Sequence, residues 1–285
     1  MRASLRTLSL SLMIIIVMGL GTYSRAEYAT PEKPAAPAEA TAPAALTAPA
    51  VATAPAGMKL IPEDLTADLN VSFFSQYIWR GYQLSKDSLV IFPQLTVGYK
   101  GFAVTTWVDL DTRFKGDPDK KFTLQETDVI ASYSNSIAPL KLNYTLGWIL
   151  YDFQPKKNQE LFVTLGLDTI LKPTLSIYQE IELGRAWYFQ LGVAHSFAVY
   201  KDWSLDLAAT ASYMYNRSTA DISAFHDGNI SAGLKIPLNK NLSIKPNIQW
   251  SFPLSSAAGE KIKAGSLDLH QNNFVYGGLI LDLAI

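Results

Sequence analysis

The chain has 285 residues, a formal net charge of −1 and 48% hydrophobic residues, which is enough apolar material for one large domain. Lysine and arginine form no basic block, so the electrostatic footprint of a nucleic-acid-binding protein is absent. The sequence contains 0 cysteines, which excludes disulfides, thiolate metal sites, cysteine nucleophiles and a lipidated N-terminal cysteine.

Residues 1–26 have the pattern of a secretory signal peptide. Arg2 and Arg6 precede an apolar run that ends at Leu20, and small residues stand at Ser24 and Ala26, the two positions that signal peptidase inspects. The alternative is a retained membrane anchor, but this needs about 20 consecutive apolar residues and the run is shorter. We expect export and cleavage after Ala26.

Residues 27–57 consist mainly of alanine, proline and threonine, and the segment they predict extends over residues 27–61. Such a segment cannot bury a core and is stiffened by its prolines, so it predicts a disordered periplasmic linker. A tether without a partner and a contact with the cell wall are both compatible with this composition.

Apolar and polar residues alternate through residues 62–285, and no segment has a convincing helical period. In the first predicted strand Phe73, Tyr77 and Trp79 share one face, and Gln76 and Arg80 share the other. Similar alternation recurs in about twelve segments. A soluble β-sandwich alternates in the same way, so the pattern alone does not decide the fold.

Two further features favour a membrane barrel. The segments run to about ten residues, enough to cross a bilayer at a tilt and longer than strands of soluble sheets. Tight turns such as Lys100-Gly101, Asn135-Ser136 and Lys201-Asp202 alternate with long polar loops, including 112–121 and 255–272. We therefore predict an all-β fold, a closed antiparallel transmembrane β-barrel of about 12 strands whose termini face the periplasm.

Aromatic residues stand at the ends of the apolar stripes, where a membrane barrel has its interfacial girdles. The predicted girdle residues are Tyr77, Trp79, Tyr99, Phe102, Tyr133, Trp203, Trp250 and Phe252.

The last strand, from Phe274 to Ile285, resembles the C-terminal signal that bacterial barrel-assembly machinery reads. Such signals usually end in Phe or Trp, and Ile285 departs from this pattern.

The run Tyr77-Ile78-Trp79-Arg80-Gly81 follows Ser75-Gln76 and precedes a second predicted strand that contains Pro93. It resembles the first hairpin of the TorF-like porin family of Gram-negative outer-membrane β-barrels. The resemblance is clearest over about the first fifty residues of the predicted barrel and fades to general alternation afterwards. It implies a small outer-membrane barrel that passes solutes, and it brings no catalytic residues.

Charged residues on the polar face collect toward the long loops and predict a lumenal constriction. Crowded carboxylates opposite two arginines would favour cations or zwitterions. An ion-paired plug that fills a narrow barrel explains the same pattern equally well. The predicted lumen residues are Arg80, Asp109, Asp111, Glu126, Asp128, Glu160, Glu180, Glu182 and Arg185.

Other chemistry receives less support from the sequence. A calcium site in the same carboxylate cluster is a weaker alternative. His195 and Gln179 lie on the predicted lipid face, where they would contact a second protomer or a lipid headgroup. A local bulge that turns both residues inward is the alternative. His226 and His270 fall in predicted loops. Outer-membrane phospholipases need His and Ser two apart on one strand face, and Ser196 points away from the face of His195. We expect no enzyme and no cofactor.

These patterns predict a channel for passive diffusion of small hydrophilic solutes, with a leaning toward cations. A structural or partner-binding barrel without transport is the alternative. Expected partners are outer-membrane lipid and lipopolysaccharide, the barrel-assembly machinery and small hydrophilic solutes. A homo-oligomer is left open, and nucleic acid is not expected.

Overall fold

The computed structural model describes residues 64–113, 121–153, 156–182, 186–216 and 222–284. The predicted signal peptide and linker lie outside the described residues, as do Arg185 and Ile285. The predictions made for them therefore remain predictions.

The described residues form a closed antiparallel β-barrel of twelve strands, which confirms the predicted fold. Each strand pairs with its two neighbours, and the first strand, β1 (Leu65–Phe74), closes the barrel by pairing with the last, β14 (Phe274–Ala284), with Asp68 opposite Ala284 and Phe74 opposite Gly278. A side chain at Gly278 would strike the backbone of Phe73, so glycine permits this close approach. The barrel strands are β1 (Leu65–Phe74), β4 (Val90–Tyr99), β5 (Phe102–Asp111), β6 (Thr123–Ile137), β7 (Leu142–Phe153), β8 (Lys156–Leu167), β9 (Thr174–Glu180), β10 (Trp187–Tyr200), β11 (Trp203–Asn216), β12 (Ile222–Pro237), β13 (Leu242–Pro253) and β14 (Phe274–Ala284).

The outer surface of the barrel is apolar, and its inner surface is predominantly polar away from the long loops. Because side chains alternate along a strand, each strand turns one set of residues outward and the other into the lumen. Large apolar side chains lie exposed on the outside, including Val104, Leu146, Leu191, Ile248 and Val275, of which Val275 is 63% exposed. A water-facing surface rarely has so large an apolar band.

The connections distinguish a short-turn end and a long-loop end of the barrel. Lys100 and Gly101 form a tight turn with φ of 50° and 86°, as predicted. The turn expected at Asn135-Ser136 lies further along, because β6 continues to Ile137 and a 3-10 helix follows at Ala138–Leu140. Pro139 stands at the start of that helix, where its lack of an N–H group does no harm.

Two segments depart from the simple meander, and both lie at the long-loop end. Residues 75–89, between β1 and β4, contain a small hairpin of β2 (Ile78–Trp79) and β3 (Tyr82–Gln83), and we call them the lumen hairpin. Residues 254–273, between β13 and β14, contain the helix α1 (Ser256–Gly265), and we call them the capping loop. The sequence has no convincing helical period at this position, so α1 is an addition to the predicted all-β fold. Ser255 caps α1 by accepting a hydrogen bond from the Ala258 N–H. Within the described ranges no helix is long and apolar enough to cross a membrane.

Candidate functional site

The tip of the lumen hairpin is a two-residue turn at Arg80 and Gly81. Their φ angles are 41° and 83°, and Trp79 pairs with Tyr82 on either side. Positive φ at both central residues suits the twist of a hairpin and favours glycine at the second position. A Cβ at residue 81 would also lie 2.8 Å from the Ile262 Cδ1 atom of α1. The turn is therefore tightly constrained.

Arg80 reaches the barrel wall and forms a bidentate ion pair with Glu160 on β8. Its two terminal nitrogens donate to the Glu160 carboxylate at 3.0 and 2.8 Å. Arg80 is 3% exposed and Glu160 is 1% exposed, so the pair is removed from water. The guanidinium carbon lies 4.2 Å from the ring centre of Tyr188 and 5.0 Å from that of Tyr178. The hairpin is thus anchored across the lumen by charge and by ring contacts.

The structure places most of the predicted acidic residues around this anchor. Asp109 and Glu126 face each other on β5 and β6, and Glu160 and Glu180 do so on β8 and β9. The buried members of this acidic cluster are Asp109, Asp111, Glu126, Asp128, Glu160 and Glu180.

The acidic cluster is tied to neutral donors as well as to Arg80. The Tyr77 hydroxyl donates to Glu126 at 3.3 Å, and Tyr151 donates to Glu160 at 2.9 Å. The Asn158 amide donates to Glu180 at 2.8 Å. These bonds stabilise charge in a buried site.

Glu182 does not join the acidic cluster. It is exposed beyond the end of β9 and accepts a hydrogen bond at 3.1 Å from Gln159, which lies on the outer face of β8. The prediction that Glu182 faces the lumen is therefore wrong. The alternation of β9 does not extend to this residue, because the strand ends at Glu180.

The prediction that Tyr77 and Trp79 belong to an outer girdle is wrong. They are 3% and 0% exposed, since β1 ends at Phe74 and the chain then turns into the barrel. Tyr77 packs at 5.2 Å from Phe92 and 5.6 Å from Trp107. The long-loop end of the barrel is filled by an aromatic core, which consists of the buried rings of Phe74, Tyr77, Trp79, Tyr82, Phe92, Trp107, Tyr151, Tyr188, Phe274 and Tyr276 together with Ile262.

The other six predicted girdle residues lie on the outer face. Phe102 and Tyr133 pack with ring centres 4.7 Å apart near the short turns, and Trp250 and Phe252 pack at 4.5 Å near the long loops. Tyr99, which is 44% exposed, and Trp203 also belong to the short-turn end.

The prediction that His226 falls in a loop is wrong, because the structure places it within β12 and buries it completely. Its ring centre lies 5.4 Å from that of Tyr82 in the lumen hairpin. The next residue, Asp227, accepts hydrogen bonds from Tyr188 at 2.9 Å and from Ser212 at 2.6 Å. The irregular pairing of β11 with β12 after Ala211 accompanies this arrangement, and alternation alone gave no sign of it.

His195 and Gln179 lie on the outer face, as predicted, and no bulge turns them inward. His195 Nδ1 is hydrogen bonded at 2.7 Å to the carbonyl of Ile170 in the adjacent turn. Gln179 stands between the outward-facing Leu161 and Trp187 in the sheet register.

The capping loop holds the lumen hairpin from outside through Gln83 and Lys86. Gln83 accepts from the backbone N–H groups of Leu267 and Asp268 at 3.0 and 3.1 Å, and its own N–H donates to Ser266 at 2.9 Å. Lys86 forms an ion pair with Asp268. The hydrogen bond from Lys86 holds the pKa of Asp268 below its ordinary value, and the same bond raises the pKa of Lys86.

The short-turn half of the lumen has two dissimilar walls, neither of which the sequence analysis singled out. On β4 to β9 hydroxyl groups pair across neighbouring strands, as Thr96 does with Thr105 at 2.8 Å and Ser134 with Thr145 at 2.9 Å. The opposite wall, on β11 to β14 and β1, bears the inward charges Asp206, Lys235, Lys245, Asp282 and Asp68. Polar residues here are compatible with a water-lined passage.

Among residues of the described ranges, no group of three or more histidine or acidic side chains is arranged to hold a metal ion. In the acidic cluster, the charge of Glu160 is met by Arg80.

The fold and its site define a closed barrel whose lumen is filled at the long-loop end by the lumen hairpin. Residues 61–196, just under half of the chain, match the model of a family described as "Bacterial protein of unknown function (Gcw_chp)". No curated protein matches the sequence. The specific resemblance to TorF-like porins therefore stays an expectation.

Several solved porin structures are similar to the barrel at low sequence identity. The KdgM porin is 11% identical with a TM-score of 0.49, over 76% of this chain and 98% of that chain. The NanC porin is 9% identical with a TM-score of 0.48, over the same shares of 76% and 98%. An anion-selective porin from Comamonas acidovorans is 10% identical with a TM-score of 0.34, over 78% and 98%. No ligand or selectivity follows for this chain from these similarities.

Proposed function

We propose that the protein is an outer-membrane channel for small hydrophilic solutes, narrowed at its long-loop end by the lumen hairpin. The observation that carries the proposal is the inverted distribution of side chains, with an exposed apolar band outside and a polar lumen inside. A bilayer accommodates this arrangement because closure leaves no strand edge unpaired in hydrocarbon. Outer-membrane lipid, lipopolysaccharide and the barrel-assembly machinery are the partners that such a location entails.

The acidic cluster supports a preference for cations. Asp109 and Glu126 face each other on β5 and β6, and both are buried near the hairpin. Negative groups in a water-poor constriction favour permeant cations over anions.

A barrel without transport is the second candidate, and the filled long-loop end supports it. Trp79, Tyr82 and Ile262 all lie within the aromatic core that crosses the lumen there. In that case the hairpin is a permanent filling and the capping loop presents a surface to partners.

Reversal potentials in planar bilayers under a potassium chloride gradient test the cation preference. We expect cation selectivity in the unmodified protein and a shift toward neutrality in the pair of substitutions Asp109→Asn and Glu126→Gln. Glu182→Gln is the matched control, because Glu182 lies outside the lumen and should leave the reversal potential unchanged. Anion selectivity that the paired substitutions do not alter would contradict the proposal.

A further inference from the structure

Four neighbouring strands contribute the surroundings of the Arg80 guanidinium. Tyr151 lies on β7, Glu160 on β8, Tyr178 on β9 and Tyr188 on β10, and we call these four residues the guanidinium cage. Glu160, Tyr151 and Tyr188 are each 1% exposed. The four cage residues belong to the barrel wall, whereas Arg80, which occupies the cage, belongs to the lumen hairpin.

The cage is shaped for a planar cation. Glu160 presents both carboxylate oxygens to the two terminal nitrogens of Arg80, at 3.0 and 2.8 Å. Tyr188 presents its ring at 4.2 Å from the guanidinium carbon. A forked pair with ring contacts suits a guanidinium far better than an ammonium, which is a compact and strongly hydrated point charge.

The occupant is held at the tip of a short two-stranded hairpin whose turn residues both have positive φ. The strands of the hairpin pair with each other in a separate two-stranded sheet, whereas the cage residues lie on strands that are paired on both sides within the closed barrel. The hairpin is therefore the element that a competing cation could displace, while the wall stays in place.

We propose that the guanidinium cage is a binding site for solutes that carry a guanidinium group, and that Arg80 occupies it in cis. A solute of this class competes with Arg80 for Glu160, releases the hairpin and opens the constriction. The opening of the constriction rests on the proposed channel function. Binding of the solute to the cage does not require that the protein conducts.

The binding step is tested in detergent with the full chain bearing Arg80→Ala. Methylguanidinium at millimolar concentration should raise the melting temperature by about 3 °C, since it restores the partner of Glu160. Methylammonium, which has the same charge, should raise it by less than a third of that amount. Lys86→Ala is the control, because it removes a hairpin cation that lies outside the cage, and it should show no difference between the two salts. Arg80→Gln repeats the test in case the alanine variant does not fold.

Competition is tested on the unmodified protein in planar bilayers. Agmatine, a guanidinium on a four-carbon amine, should increase channel opening severalfold, whereas putrescine, a diamine of equal charge and chain length, should not. The proposal is overturned if methylguanidinium and methylammonium raise the melting temperature equally, or if agmatine and putrescine affect channel opening equally. It is also overturned if methylguanidinium binds and the protein conducts, but agmatine does not change channel opening. If methylguanidinium binds selectively and no protein conducts, the cage stands as a binding site and the proposed channel function fails.

Discussion

At the residue scale, the run from Tyr77 to Tyr82 contains one prediction that is correct and two that are wrong. Alternation placed Arg80 in the lumen, where the structure also has it. The same alternation placed Tyr77 and Trp79 outside, since it assumed that β1 continues through them. The chain instead leaves the sheet after Phe74, and the positive φ angles at Arg80 and Gly81 reverse it. The glycine at position 81, which tolerates positive φ, is the turn signal that the strand pattern concealed.

Gly81 is constrained both by its positive φ angle and by the close packing of Ile262 against it. Gly81→Ala should lower the free energy of unfolding by about 1–2 kcal/mol, because a side chain at this φ is strained and would crowd Ile262. Urea unfolding in detergent micelles measures this. Gly166→Ala is the matched control, because its Cβ would meet Thr174 at an ordinary 3.4 Å. Equal stability of the two variants would contradict the account of the turn.

The Arg80 and Glu160 pair should show strong coupling. Arg80→Leu alone and Glu160→Leu alone should each cost about 3–5 kcal/mol, because each leaves the other charge buried without its partner. Replacing both residues by leucine should recover much of this loss, since no unpaired charge then remains. A double-mutant cycle from urea unfolding checks the prediction, and additive effects of the two single substitutions would contradict it.

At the scale of elements, the barrel strands could be predicted from the sequence far better than the lumen hairpin and the capping loop. Periodicity found the stripes on each strand because one face must meet oil and the other water. It could not find α1, whose ten residues mix alanine and glycine with lysine and glutamate and lack a clear apolar stripe. Nor could it place His226, since a local irregularity between β11 and β12 decides which way that residue faces.

The latch between the capping loop and the lumen hairpin should depend on pH. The folded-state pKa of Asp268 is lowered by its bond to Lys86, so its contribution to stability is present above the unfolded value and is lost as pH falls through the folded value. The pKa of Lys86 is raised, so its contribution is lost only as pH rises through the folded value. We expect acidification below about pH 4 to free the capping loop.

Limited proteolysis by pepsin, which is active in acid, measures this release. Cleavage within residues 254–273 should increase steeply from pH 4.5 to 2.5 in the unmodified protein. Asp268→Asn should be cleaved readily at both pH values, because its amide cannot form the ion pair. A pH dependence that survives this substitution unchanged would show that another group controls the loop.

At the scale of the whole molecule, the barrel has two unlike halves. The short-turn half has paired hydroxyls such as Thr164 and Ser176, at 2.9 Å, and a wall of mixed charges. The long-loop half is occupied by the hairpin, the aromatic core and the acidic cluster. The sequence predicted a constriction or a plug as equal alternatives, and the ion-paired hairpin combines features of both. A lumen of this kind conducts only to the extent that the hairpin moves.

The most direct measurement of the central claim is single-channel conductance with and without the hairpin. In the shortened variant residues 76–87 are replaced by Asn-Gly, a sequence that favours a tight turn, which leaves the barrel strands intact. We predict small, intermittent openings of the unmodified protein and a larger, steady conductance of the shortened one. If neither protein conducts while both insert as folded barrels, the lumen is not a passage and the account is wrong.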